Sequence, residues 1–288
     1  MTETNLRRAA PTSLSRKLAS FANEARHELK ATSLAALSSV LFVAIPALYL
    51  MNVLVTDTRS HREIVDVNTF PWSSVGKIGN SAGGHCTAAV IGPSQFLTAA
   101  HCLYNKRAGR FVSAESTHIL LGYAQGDYRV HRISSKYAVP PAFDPSTING
   151  LTTAYATDWA ILYINEPFPQ DVRPLRMASA TPSPGSAVKT VGFAREQLYL
   201  MTVDHHCQIQ EISEDAKLIA HDCVINFGDS GGPLLSGDGR DEGLIVGVNG
   251  AVLKNDPQWG VAVSTAGITE FLASQVVGSN DKGKDRQG

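Results

Sequence analysis

The 288-residue chain is poor in charge: 18% of its residues are Asp, Glu, Lys or Arg, and they sum to −1 at neutral pH. It therefore lacks the one-signed field with which a protein gathers along nucleic acid, and nucleic acid is excluded as a partner. With 43% hydrophobic residues it does not lack a core, and a mostly disordered chain is excluded as well. Its four cysteines contain no Cys-x-x-Cys pair, the spacing that most often announces zinc. Histidine does adjoin them, in His85-Cys86, His101-Cys102, His205-His206-Cys207 and His221-Asp222-Cys223. Neighbouring side chains on a strand point to opposite faces, however, so no metal and no cofactor is expected. Internal repeats are also missing.

One region lacks charge altogether. Residues 31–56 are uncharged and rich in Leu, Val and Ala, long enough to cross a hydrocarbon core of about 30 Å. Pro46 would kink such a helix without forbidding insertion. The run is too long for a secretory leader, and no A-x-A-like cleavage site follows it, so an uncleaved anchor is expected, with secretion after cleavage as the alternative. Arg7, Arg8, Arg16, Lys17, Arg26 and Lys30 outnumber Glu3, Glu24 and Glu28 on the leading side. Residues 1–30 then stay in the cytoplasm and the remainder faces the periplasm or the exterior.

Beyond the span, short β-branched and aromatic runs alternate with Gly, Pro, Asn and Ser, as in Thr87-Ala88-Ala89-Val90-Ile91-Gly92-Pro93-Ser94. That pattern predicts antiparallel barrels or a sandwich. Ile268, Phe271, Leu272 and Val276 recur at helical spacing and predict a closing helix over 265–277. Residues 278–288 are polar and read as a disordered tail.

The most specific run is Gly228-Asp229-Ser230-Gly231-Gly232-Pro233, which sets one serine hydroxyl on a tight turn. Glycine beside it allows a substrate carbonyl close to the backbone, where the N–H groups of Gly228 and Ser230 can meet a developing oxyanion. Serine is a poor nucleophile unless a base takes its proton and a carboxylate orients that base. His101 follows the apolar Phe96-Leu97 and the small Thr98-Ala99-Ala100; Asp158 precedes the apolar Trp159-Ala160-Ile161-Leu162. Asp144, in Phe143-Asp144-Pro145, is the rival carboxylate, but no apolar strand follows it. Asp229 is expected to be structural, buried and paired beside the nucleophile.

Thr98-Ala99-Ala100-His101-Cys102, Asp158-Trp159-Ala160-Ile161-Leu162 and Gly228 to Pro233 together resemble the histidine, aspartate and serine motifs of the trypsin/chymotrypsin-like serine peptidases, in that family's order. The likeness is strongest to bacterial members and covers roughly residues 64–277. It implies an all-β domain over 57–277, built of two six-stranded antiparallel barrels at about 64–170 and 171–265 with the site between them. His101 is implied as general base and acid, Asp158 as its orienter, Ser230 as nucleophile, and Gly228 with Ser230 as the oxyanion hole. Val224, Asn249, Gly250 and Gly260 are implied in the specificity pocket, and Cys86–Cys102 and Cys207–Cys223 as disulfides of equal span. Protein or peptide would be the substrate and an acyl-enzyme the intermediate.

Two features depart from that family. Its members are activated when cleavage exposes an Ile-Val-Gly-Gly terminus that pairs with the aspartate before the serine. Here Ile64-Val65-Asp66-Val67 lacks the glycines, which leaves Asp229 to pair with an internal donor. Val224 also stands where a trypsin-type aspartate would read a basic side chain, so an apolar residue before the scissile bond is expected. A silent homologue serving as a binding module is the competing reading, and the intact His101, Asp158 and Ser230 argue against it.

Overall fold

The structure is a computed structural model that describes residues 62–145, 153–239, 242–253 and 259–281. The expected cytoplasmic segment, the span over 31–56 and the end of the tail lie outside these residues. No helix among the described residues is long and apolar enough to cross a membrane.

Seventeen strands are described. In chain order they are β1 Arg62–Ile64, β2 Val75–Gly79, β3 His85–Gly92, β4 Gln95–Thr98, β5 Tyr104–Asn105, β6 Arg110–Phe111, β7 His118–Leu121, β8 Val130–Ile133 and β9 Lys136–Ala138. They continue with β10 Ala160–Tyr163, β11 Arg176–Met177, β12 Ala187–Gly192, β13 Thr202–Ile212, β14 Leu218–His221, β15 Pro233–Ser236, β16 Leu244–Val252 and β17 Gly260–Ser264. The single described α-helix, α1, spans Thr265–Asp281, four residues past the end expected from its apolar spacing.

The second half closes as expected. Strands run in the order β13-β12-β15-β16-β17-β14, and β14 pairs back onto β13, which makes a ring of six. The first half differs: its sheet is an open path, β8-β7-β2-β3-β4-β10-β9, a half-barrel rather than a second closed ring. The ends of that path, β8 and β9, are successive pieces of one run. At their junction the Ser134 N–H donates to Thr117 O at 3.0 Å, but the Ser135 N–H donates to Tyr163 O at 2.8 Å. The chain thus changes partner strand at two serines, and the bend replaces the ladder that would have closed the ring.

Alternation decides which faces are buried. Ile78, Val90, Phe96, Ile119, Leu121 and Leu162 fill the first half, and Val188, Ile219, Leu234 and Val246 the second. A third cluster, with Leu97, Trp159, Val191, Phe193, Val248 and Ile268, draws on both halves and on α1. The site lies along this shared core. Both disulfides join the cysteines expected, Cys86 to Cys102 and Cys207 to Cys223, each closing a separation of 16 residues.

Candidate active site

Strand β4 ends at Thr98 and β10 begins at Ala160, and the two are antiparallel with Ala160 opposite Thr98. The end of one strand therefore meets the start of the next, which sets His101, just past β4, against Asp158, just before β10. The His101 Nδ1 lies 2.6 Å from Asp158 Oδ2, and the His101 backbone N–H donates to Oδ1 at 2.9 Å. The carboxylate is thereby held at both oxygens. The next residue, Trp159, is buried with its ring edge-on to Phe271 of α1 at 5.1 Å. Asp144 does not enter this arrangement. Tyr155 stands beside it, donating its hydroxyl to Gly250 O at 3.2 Å; burial and then the nearby Asp158 charge push its phenol well above the usual range.

His101 and Ser230 line one cleft of about 820 Å³ together with Gly228, Gly250 and the Cys86–Cys102 disulfide. The donor atoms of Cys86, His101 and Cys102 lie within 4.8 Å of one another. Both sulfurs are spent in the disulfide, so neither offers the thiolate that a metal would need.

The serine turn is fixed from several sides. Gly228 has φ of 101°, and a Cβ there would collide with Phe193 O and His85 Nε2, so only glycine fits. The Phe227 carbonyl accepts the Arg195 N–H at 2.7 Å, which commits the N–H of the same trans peptide, that of Gly228, to the opposite side. Thr87, fully buried on β3, ties this turn to the first half: its N–H donates to Ser230 O at 2.9 Å and its hydroxyl to Gly228 O at 2.8 Å. The Gly231 N–H donates to Asn249 O at 2.7 Å.

Asp229 is wholly buried. Its carboxylate takes both terminal nitrogens of Arg62, each at 2.9 Å, and the Asn226 N–H at 2.8 Å. Gly192 leaves room for it, since a Cβ there would press on Asp229 Oδ1. Burial outweighs the Arg62 charge and these hydrogen bonds and pushes the carboxyl up to about 6.

A cavity of about 270 Å³ opens beside Ser230, lined by it together with Ile225, Asn226, Phe227, Gly250, Ala251 and Val252. Gly250 lies at a register shift between β16 and β17 that lifts it out of the ladder. Val224, Asn249 and Gly260 do not line this cavity. The backbone of Val224 is engaged elsewhere: its N–H donates to Asp204 Oδ2 at 2.9 Å and its carbonyl accepts Arg62 at 2.7 Å. Asn249 is buried, donating to Thr190 Oγ1 at 2.7 Å, with its amide oxygen 2.9 Å from His221 Nε2. Gly260 makes room for His221 and Ile225. His221 is fully buried with no protein partner at Nδ1, and burial lowers its imidazole to about 4.

Sequence reasoning missed Arg62, Thr87, Arg195 and the Ile225–Phe227 wall. The glycine-rich run Gly228 to Pro233 flagged the turn, but its supports come from β1, β3 and the residues after β12, remote in the chain.

The sequence pattern of the Trypsin family matches residues 62–271. Among solved structures the chain is similar to a Glu endopeptidase in complex with MPD, with a TM-score of 0.61, 20% identity, and coverage of 74% of this chain and 95% of that one. It is also similar to HL collagenase, with a TM-score of 0.59, 16% identity, and coverage of 75% and 97%. At such identities the likeness is one of fold. A search of curated proteins finds no match.

Proposed function

The chain belongs to the trypsin family, and on that premise we propose that it is a serine endopeptidase, anchored in a membrane by residues 31–56, that cleaves peptide bonds through an acyl-enzyme. The observation that carries this reading is the two-point grip of Asp158 on His101 in the cleft that Ser230 shares.

Asp158 keeps the proton on His101 Nδ1, which leaves Nε2 to accept the Ser230 hydroxyl proton as Oγ attacks the scissile carbonyl. Negative charge then grows on the carbonyl oxygen, where the N–H groups of Gly228 and Ser230 stabilise it. The tie from the Phe227 carbonyl to Arg195 supports that orientation for the Gly228 N–H. His101 next donates its proton to the departing amine, and an ester on Ser230 remains. Water repeats the sequence, giving its proton to His101 as it attacks the ester, and the acid product leaves.

The cavity beside Ser230 supports an apolar side chain before the cut. Ile225, Phe227, Ala251 and Val252 supply apolar wall, and no carboxylate among the described residues lines it. A Lys or Arg entering would lose water without an ion pair, whereas apolar surface gains about 25 cal/mol per Å² buried. Two disulfides support an oxidising location for this part of the chain, which agrees with a cytoplasmic N-terminus and a catalytic domain on the other side of the membrane.

Replacing Ser230 with alanine tests the reading. The variant is expected to fold and to lose turnover of a casein-type substrate by several powers of ten; turnover equal to the parent's would rule out the serine mechanism.

A further inference from the structure

Arg62 is the most thoroughly occupied polar side chain among the described residues, and it touches neither His101 nor the cleft. Its guanidinium has five N–H donors. Nε donates to Thr202 Oγ1 at 2.9 Å, Nη1 to Val224 O at 2.7 Å and Asp229 Oδ2 at 2.9 Å, and Nη2 to Thr202 O at 3.1 Å and Asp229 Oδ1 at 2.9 Å. Every donor is used. The side chain is only 7% exposed, and its partner carboxylate is not exposed at all.

Three of the five acceptors fall at the two ends of one short segment, and the other two are on Thr202 of β13. Val224 opens and Asp229 closes the stretch that contains the Ile225–Phe227 wall of the cavity and the Phe227–Gly228 peptide. Asp229 is joined directly to Ser230. A fork that holds both ends fixes the path between them, and with it the direction of the Gly228 N–H. A bidentate fork also fixes orientation as well as charge. Arg62 in turn is placed by β1, whose backbone pairs Arg62 with Asp204 and Ile64 with Thr202 of β13.

We propose that Arg62 is the positioning residue that holds the oxyanion turn in its working conformation within the uncut chain, so that the peptidase is active without proteolytic activation and is switched off by cleavage that separates Arg62 from Asp229's half of the molecule. The inference rests on the peptidase reading above. It gives cleavage near β1 a sign: loss, not gain, of activity. The neighbouring residues are open to such an event, since the Glu63 side chain is 64% exposed and Ile64 is 61% exposed.

The test uses the full chain, with Arg62→Met, Arg62→Lys and, as a surface control, Arg129→Met, each assayed on one peptide substrate and normalised to folded protein by near-ultraviolet circular dichroism. Arg62→Met is expected to lose about 100-fold or more in kcat with KM within about threefold, because donors aimed at the oxyanion act in the transition state. Added guanidinium ion should restore part of that loss, Arg62→Lys should retain more activity than Arg62→Met, and Arg129→Met should match the parent. A kcat for Arg62→Met within threefold of the parent's would overturn the proposal. Should Arg62→Met fail to fold, the parent itself decides: the mass of the species labelled by a fluorophosphonate is expected to include Arg62, and label confined to a chain that begins after Arg62 would overturn the proposal. A parent that neither labels nor cleaves overturns the peptidase reading and this inference with it, a result distinct from an active parent with an indifferent Arg62.

Discussion

Asp158 and Asp229 are equally hidden, with side chains 1% and 0% exposed, but the fold gives them opposite partners. Asp158 faces a histidine whose side chain is 16% exposed and opens on the cleft. Asp229 faces an arginine with every donor engaged. Histidine exchanges its proton near neutral pH and arginine does not, so the first pair suits proton transfer and the second suits rigidity. One buried carboxylate per task is the lesson: on the proposed reading, the residue beside Ser230 is held still so that the residue across the cleft can work.

The sharpest break of that contrast comes at Asp158. Asp158→Asn keeps the shape but no longer fixes the tautomer, and kcat is expected to fall roughly 10⁴-fold with the melting temperature little changed. Steady-state kinetics beside a thermal melt checks this, and equal losses in both would make Asp158 a structural residue. Asp229→Asn should do the reverse in stability: its amide NH2 faces the Arg62 fork donor to donor, and each buried donor left unpaired costs about 1–3 kcal/mol in urea unfolding. A variant as stable as the parent would show that the Arg62 pair carries no structural weight.

How much of this was legible follows from distance along the chain. His101, Asp158 and Ser230 each sit in a contiguous run of telling residue types, so all three could be picked out, and the fold sets Asp158 on His101 and His101 in the cleft that Ser230 lines. Arg62 lies 167 residues from Asp229, and its part depends on the β1–β13 pairing, which no local pattern announces. Thr87 looked like one more strand residue for the same reason. Val224 was expected in the pocket, but its backbone is taken by Asp204 and Arg62, and the three residues after it, Ile225, Asn226 and Phe227, line the cavity beside Ser230. The half-barrel was hidden in an ordinary Ser134-Ser135.

Three further measurements sharpen the comparison at smaller scale. Breaking Cys207–Cys223 by paired alanines should cost about 3 kcal/mol, since the loop it closes has a separation of 16 residues; the two halves of the site should melt together, and retention of full stability would mark that bridge as dispensable. His221, lowered to about 4 by burial, is neutral in the native state, so the unfolded chain binds its proton first as pH falls below about 6.5. Its contribution is therefore fully present above pH 6.5 and is lost as pH falls toward 4. Asp229, raised to about 6, has the opposite sign: the native state takes up its proton first, and stability is gained as pH falls through 6 toward 4. The two oppose in the parent, and a His221→Gln variant separates them. Its deficit relative to the parent should shrink by about 3 kcal/mol between pH 7 and pH 4; a deficit constant with pH would contradict the burial of a neutral His221. The smallest effect belongs to the exposed pair of Arg129 and Asp171, where Arg129→Met should change stability by less than about 1 kcal/mol in urea.

Labelling with a fluorophosphonate tests the central claim most directly, because the probe reacts with an activated serine and not with a polar turn. Peptide mapping of the full chain is expected to find one adduct, on Ser230, formed at a rate that collapses in His101→Ala. An unlabelled Ser230 in folded protein, or an adduct that forms as fast without His101, would contradict the account.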